Sequence, residues 1–290
     1  MDSIQILTQQ KFPPQLLEIP QLPEKLYFRG SLPSFDTPFL TVVGSRNYTG
    51  YGKEACEKII YELRGSPLAI VSGLALGIDS IAHKSALEAG LTTLAFPGSG
   101  LNPNVLYPAS NRLLAEKIVA SGGALVSEFE PDFKATPYSF PQRNRLMAGI
   151  SRGILVIEAG EKSGTLITAR LATEYNRDVF VVPGSIFSRN SLGSHQLLKL
   201  GGIPVASGED VLREWGLSSN NDSDNDNAKR MIENCSKEEK RILEFLREPL
   251  TKDELIQRSE LLPHEINTLL SIMELKGIIK ESTGKIQAIF

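Results

Sequence analysis

The chain has 290 residues, of which 41% are hydrophobic and 22% charged, with a net charge of −3. That length suits one large and one small domain, and the composition is that of a globular protein able to bury its own core. The slight acidity excludes a uniformly basic nucleic-acid-binding body, so any binding of that kind must use a local positive patch. Cys56 and Cys235 lie far apart and fit neither a metal nor a redox spacing, so no metal is expected and a reducing compartment is. The N-terminus lacks a basic region followed by a long apolar one, and no apolar run approaches a membrane span. The expectation is a cytoplasmic protein without a membrane partner.

Residues 1–38 are rich in proline and read as an extended lead-in laid over the main domain, with a short strand at 26–30. From residue 39 to 217 strand-like and helix-like stretches alternate. Strands are expected at 39–43, 68–72, 92–96, 124–127, 154–157 and 179–182, with another at 203–206. Helical periodicity covers 52–63 and 79–89, and a short helix is expected at 209–215. Buried strands separated by helices predict a doubly wound, mostly parallel α/β sheet of extended Rossmann-like type, covered on both faces.

Residues 218–227 contain no apolar side chain, so 218–235 is read as a flexible linker. Residues 236–290 form a small unit. Ser236 with Glu239 and Thr251 with Glu254 are capping-box pairs before apolar stripes. Pro263 opens a third helix, Gly277 stops it, and 278–289 reads as a hairpin. Three helices and a hairpin predict a winged helix. Its nine basic and ten acidic residues supply little positive charge for phosphates, which argues for protein contact or an accessory role.

In an open α/β sheet the strand-to-helix turns share one edge, and ligands bind there. Four such turns carry informative residues. Gly44-Ser45-Arg46 follows the first strand of the alternating series. Ser72-Gly73-Leu74-Ala75-Leu76-Gly77-Ile78-Asp79 follows the second, with Gly73 and Gly77 suited to close backbone approach and Asp79 to capping. Phe140-Pro141-Gln142-Arg143-Asn144-Arg145 sets an aromatic ring beside two arginines. Lys162-Ser163-Gly164-Thr165 opens a further helix. Small residues let backbone N–H groups approach phosphates, and arginines add charge and planar hydrogen-bonding forks. No Gly-x-Gly-x-x-Gly follows the first strand, so no dinucleotide cofactor is expected. His83 is read as a helix-face histidine bonded to a loop in preference to a catalytic group.

In this order and spacing, these motifs together with Tyr107-Pro108 closely resemble the bacterial DNA-processing protein A (DprA/Smf) family. The resemblance covers roughly residues 26–210, and the C-terminal unit is similar to a winged-helix domain that many members carry. It implies a single-stranded DNA-binding protein that dimerises, protects incoming DNA and helps load the RecA recombinase in natural transformation and recombination. It implies no catalytic residue and no cofactor. With only 38 residues before the alternating region, the helical SAM-like domain of some members is not expected. Single-strand binders combine a positive groove with stacking aromatics. On that reading Arg46, Arg112, Arg143 and Arg145 serve phosphates, and Lys134 and Lys162 add contacts from adjacent loops. Gly44, Ser45, Ser163, Gly164 and Thr165 offer backbone or hydroxyl donors. Gly73, Gly77, Asp79, His83 and Glu128 shape the site. Phe140 is either a stacking ring or a core anchor of its loop, and Asn144 either touches the strand or holds the arginine loop in shape.

The main rival is a Rossmann-like enzyme that binds or hydrolyses nucleoside monophosphates, with Glu128 or Glu158 as its carboxylate. The pattern Pro-Gly-Gly-x-Gly-Thr-x-x-Glu expected of such enzymes is absent, and residues 160–165 echo only part of it. A third reading, a transcription regulator using its winged helix on duplex DNA, conflicts with the near-neutral third helix.

Overall fold

The computed structural model describes residues 3–217, 235–246, 248–259, 261–282 and 284–289. The chain separates into two compact units, divided at residue 218. The linker expected at 218–235 lies, Cys235 apart, outside the described residues.

Within the first unit the strands and helices run in the order β1 (Gln5–Thr8), α1 (Pro14–Leu17), β2 (Lys25–Gly30), β3 (Phe39–Val43), α2 (Gly50–Glu62), β4 (Ala69–Ser72), α3 (Ile78–Glu88), β5 (Thr93–Ala95), α4 (Arg112–Ala120), β6 (Ala124–Ser127), α5 (Ser139–Ile150), β7 (Gly153–Val156), α6 (Thr165–Glu174), β8 (Asp178–Val181), α7 (Leu192–Lys199), β9 (Ile203–Pro204) and α8 (Gly208–Glu214). Among the described residues nine strands form one sheet in the order β1-β2-β6-β5-β4-β3-β7-β8-β9. From β6 to β9 every neighbouring pair is parallel. The chain winds from β3 to β6 on one side, then crosses to β7 and continues outward to β9. The switch point therefore lies between β3 and β7, where ligands bind in sheets of this kind.

Burial along β3 shows why the sheet is covered twice. Phe39 and Val43 enter one apolar cluster with Leu146, Met147 and Ala169 of α5 and α6. Leu40 and Val42 enter the other, with Ile59 and Ile60 of α2, Ile78 and Ala82 of α3 and Val211 of α8. Alternate strand residues point to opposite faces, so a strand that is apolar throughout needs helices on both.

Residues 1–38 depart from the expected lead-in. β2 pairs antiparallel with β6, Tyr27 opposite Ser127 and Gly30 opposite Ala124, and β1 pairs antiparallel with β2. The prolines at 13, 14, 20 and 23 lie between these strands and not in them, so nothing prevents the ladder from forming. Leu26 and Tyr27 are buried. The segment is thus a working edge of the sheet.

In the second unit, helices Lys237–Phe245, Lys252–Ser259 and Pro263–Leu275 precede a hairpin of Ile279–Ser282 and Lys285–Ala288. Ser236 and Glu239 cap each other reciprocally, as do Thr251 and Glu254. Ile242, Leu255, Ile266 and Met273 fill the core of this winged helix.

His83 lies behind the sheet edge, fully buried in α3, with Nδ1 2.7 Å from the Thr93 hydroxyl of β5. Burial pushes its pKa down to about 3. The folded protein therefore keeps it neutral where the unfolded chain protonates it, between pH 6.5 and about 3. Stability is fully present above 6.5 and falls through that window, at up to about 1.4 kcal/mol per pH unit. In urea unfolding, His83→Gln should flatten the acid limb below pH 6.5. An unchanged limb would assign the acid sensitivity to other groups.

Candidate nucleic-acid interface

At the end of β3 the chain turns through Gly44, Ser45 and Arg46 before entering α2. Thr49 caps that helix, accepting from the Gly52 N–H at 3.1 Å. Its own N–H and hydroxyl donate to Glu158, which holds the turn from the end of β7. The opposite support is Gly77. A Cβ there would come within 2.5 Å of the Ser45 carbonyl and 2.6 Å of the Arg46 Cα, and its φ is +83°. Only glycine combines that conformation with that contact. Gly44 is equally close to Ile78. The result is an exposed Arg46 side chain on a turn braced from both sides.

α5 brings the aromatic ring and the two arginines, and here the structure corrects the sequence reading. Phe140 is not in an extended loop. It lies in the first turn of α5, where Pro141 is tolerated because the missing N–H would lack an intrahelical partner anyway. Its half-buried ring lies against Gly98, 5.5 Å from the Tyr107 ring, with the Arg46 guanidinium 5.5 Å from its centroid. Arg143 and Arg145, expected as exposed phosphate contacts, are 5% and 7% exposed. The Arg143 guanidinium donates to the backbone carbonyls of Gly73 and Phe96, and its Nε donates to Asn144 Oδ1 at 3.1 Å. Arg145 is paired with Glu128 behind the edge. A Cβ on Gly73 would collide with the Arg143 guanidinium, which explains the glycine there.

Asp79 completes this buried knot. Its Oδ2 accepts from the Gly73 and Ala75 N–H groups at 3.1 and 3.3 Å. Burial pushes its carboxyl above the ordinary value, against the opposing pull of Arg143 and those two N–H groups. Burial also draws Arg143 down to about 10, which leaves it charged at neutral pH.

Beyond β7, α6 begins at Thr165 behind Ser163 and Gly164, and Ser163 Oγ accepts from the Thr165 N–H at 3.2 Å. The first turns of α2, α5 and α6 contain no acidic residue. The partial positive charge at each helix start is therefore not neutralised within its own first turn. The starts of α5 and α6 border one open cavity of about 560 Å³, lined by Gly44, Ser45, Arg46, Phe140, Arg143, Asn144, Lys162, Ser163, Gly164 and Thr165, with Asp79 also in the lining; the start of α2 lies outside the lining, held by Glu158. Lys162, like Arg46, is exposed, and among the described residues neither has an ion-pair partner.

The other expected residues lie elsewhere. Arg112 donates to the Asn104 carbonyl at 2.8 Å and does not line the cavity. Lys134 is exposed in the loop before α5 but is also not part of the lining. Gly73, Gly77, His83, Arg145 and Glu128 form the support behind it. Several lining residues escaped the sequence reading, among them Asn47, Ile167 and Asn190, whose side chain donates to the Asn47 carbonyl at 2.8 Å and closes the cavity from the β8 side. Its only sequence signal was the Pro183-Gly184 turn after β8. Among the described residues no group of three or more His, Cys, Asp or Glu side chains is placed to hold a metal.

Residues 3–216 match the family described as DNA recombination-mediator protein A, and residues 227–285 match the DprA winged helix domain. This chain belongs to the DprA family. It is 43% identical over 204 residues to DNA processing protein DprA of Streptococcus pneumoniae, a match covering 70% of this chain and 71% of the relative. It is 42% identical over 208 residues to Protein Smf of Escherichia coli, covering 71% of this chain and 55% of the relative. The chain thus spans little more than half of that longer protein. Among solved structures, DprA from S. pneumoniae superimposes with a TM-score of 0.69 at 40% identity, covering 73% of this chain and 74% of that one. DprA from Helicobacter pylori, studied for its single-stranded DNA binding mode, superimposes with a TM-score of 0.65 at 30% identity, covering 74% and 98%.

The geometry separates two arginines that look alike in sequence. Arg143→Ala orphans two buried carbonyls and removes the cation beside buried Asp79, so it should cost about 3 kcal/mol or more and lower the melting temperature by roughly 6–12 °C. Arg46→Ala, on the surface, should shift the melt by no more than about 2 °C. Calorimetry of the two variants checks this, and equal melts would contradict the buried knot.

Proposed function

We propose that this DprA protein binds single-stranded DNA without sequence preference along the β3–β7 crevice, protects incoming DNA, and hands it to the RecA recombinase in natural transformation. The observation that carries the reading is the cavity itself: two unpaired exposed cations, two helix starts without acidic first-turn residues and one accessible ring meet in it. Phosphates suit the first two features and a base suits the third. The solved H. pylori relative is a single-stranded DNA binder, which supports the same ligand here. Action as a homodimer in the cytoplasm, and the contact with RecA, rest on family membership. No helix among the described residues is long and apolar enough to cross a membrane.

The same site argues against the nucleotide-hydrolysing alternative. Glu158 is occupied by the Thr49 N–H and hydroxyl, Glu128 by Arg145, and Asp79 by two backbone N–H groups. A general base must be free to reach its proton. The protein is proposed to act by binding alone. Release of base or phosphate from nucleoside monophosphates by the purified protein would overturn that.

In gel shifts at several salt concentrations the full chain should bind single strands more tightly than duplex. Arg46→Ala and Lys162→Ala should each weaken binding and reduce the log–log salt slope by roughly 0.7, as loss of one single-strand phosphate contact requires. An unchanged slope removes that residue from the site, and equal affinity for duplex rejects the single-strand assignment. Light scattering at micromolar concentration should give the mass of a dimer; a monomer contradicts the homodimer.

A further inference from the structure

The segment joining β8 to α7 carries an exposure that the cavity does not explain. Ile186 is 76% and Phe187 92% exposed, and Arg189 beside them is exposed as well. Isolated surface apolar residues are common, but a phenylalanine this open on an anchored loop is not. The loop is held at several points. Tyr51 donates to the Pro183 carbonyl at 2.6 Å, and His195 Nε2 lies 3.0 Å from the Gly184 carbonyl. Ser185 Oγ accepts from the Phe187 N–H at 3.2 Å. At the far end Asn190 is bonded to Asn47, and the Gly193 N–H donates to the Ala159 carbonyl at 2.8 Å. The ring is therefore presented at the tip of a fixed turn and not left loose on a mobile one.

The sheet order gives the turn its place. The loops after β5, β4, β3, β7 and β8 follow one another along the same edge, because those five strands are adjacent and parallel. They carry in turn Tyr107, the Gly73–Gly77 turn, Arg46, Lys162 and Phe187. At the usual strand spacing the row of strand ends is about 19 Å long, and the end of β8, from which the Phe187 loop departs, lies about 10 Å along it from the end of β3. At the other end Tyr107 and Phe140 continue the cavity as an aromatic ledge. The cations lie between the rings. That alternation is what a backbone running along the edge, with bases on either side, requires.

We propose that Phe187 is a second base-stacking platform, which receives a base of the same DNA strand after it leaves the Arg46–Lys162 cavity on the β8 side. The inference rests on the single-strand reading of that cavity. Asn190 links the two, since it lines the cavity three residues from Phe187. Arg189 supplies the positive charge for the intervening phosphate.

The test uses the full-length protein and an oligothymidylate of about twelve residues, within the range of single-strand site sizes. Phe187→Ala should weaken binding about five- to a hundredfold with an unchanged melting temperature and unchanged salt slope, because a stacking contact releases no counterion. Arg46→Ala should reduce the slope. Phe187→Trp should retain affinity, and its exposed indole should be quenched by the oligonucleotide over the background of the single native tryptophan, Trp215, which is 4% exposed. Full affinity in Phe187→Ala, with binding weakened by Arg46→Ala, would overturn this inference and leave the cavity reading intact. A change in molecular mass accompanying the loss would also overturn it, by making Phe187 a contact between protein copies. No binding of the oligonucleotide by the unmodified protein would sink both readings.

Discussion

Everything on the ligand side of this sheet hangs on a charge turned inward. Arg143 sends its guanidinium away from solvent to the carbonyls of Gly73 and Phe96, at the ends of β4 and β5, while Asp79 holds the N–H groups of Gly73 and Ala75. The knot ties α5 to two strand ends and fixes the turn that leads into α3. Gly77, at the end of that turn, is the floor under Ser45 and Arg46. Burying an arginine is costly unless its donors are satisfied, and here carbonyls do that work with a carboxylate nearby. The gain is placement. The exposed cation and the half-buried ring, Arg46 and Phe140, stand on two elements that the same buried group holds in register.

The carboxylates follow a consistent logic. A phosphate-binding site of the kind proposed must keep free carboxylates out of its lining. Glu158 is consumed in holding the start of α2, Glu128 in pairing Arg145, and Asp79 in the backbone turn. Each is thus also a structural fastener. The lining itself presents Arg46, Lys162 and the starts of α5 and α6, while exposed Glu161 stands between Gly160 and Lys162 at its margin.

The motifs that were legible in sequence are those whose function lies in the backbone. Gly44-Ser45-Arg46 and Ser163-Gly164-Thr165 sit where apolar strands end and helices start, and the switch point brings them together as the strand pattern implied. Side-chain direction was less legible. Arg143 and Arg145 looked like surface charge because arginine rarely buries, and nothing local reveals that Gly73 leaves room for a guanidinium. Asn144, for which two roles stood open, accepts from Arg143 Nε. Phe140, read as part of a loop, lies instead in the first turn of α5, where the proline that follows it is tolerated. The strand at 25–30 was legible at 26–30, but its antiparallel pairing with β6, about a hundred residues away, was not, and the strand at 5–8 that pairs with it was obscured by the prolines that follow. Arg112 and Lys134 lie in the right loops of the chain but not on the cavity wall, a distinction set by three-dimensional direction alone.

The composition of the cavity also bears on how selective it can be. Reading sequence requires donors and acceptors aimed at base edges. This wall offers helix-start N–H groups, hydroxyls, two mobile cations and a ring, all suited to phosphate or to a π-face. Two amides of the wall are partly engaged, Asn144 Oδ1 by Arg143 and Asn190 Nδ2 by the Asn47 carbonyl, while the exposed Asn47 also lines it. Such a wall suits the proposed ligand, a flexible chain of phosphates with accessible base faces. A duplex stacks its faces away and is too stiff to follow a row of strand ends within so short a span. The proposed preference for single strands accords with the shape of the sheet edge.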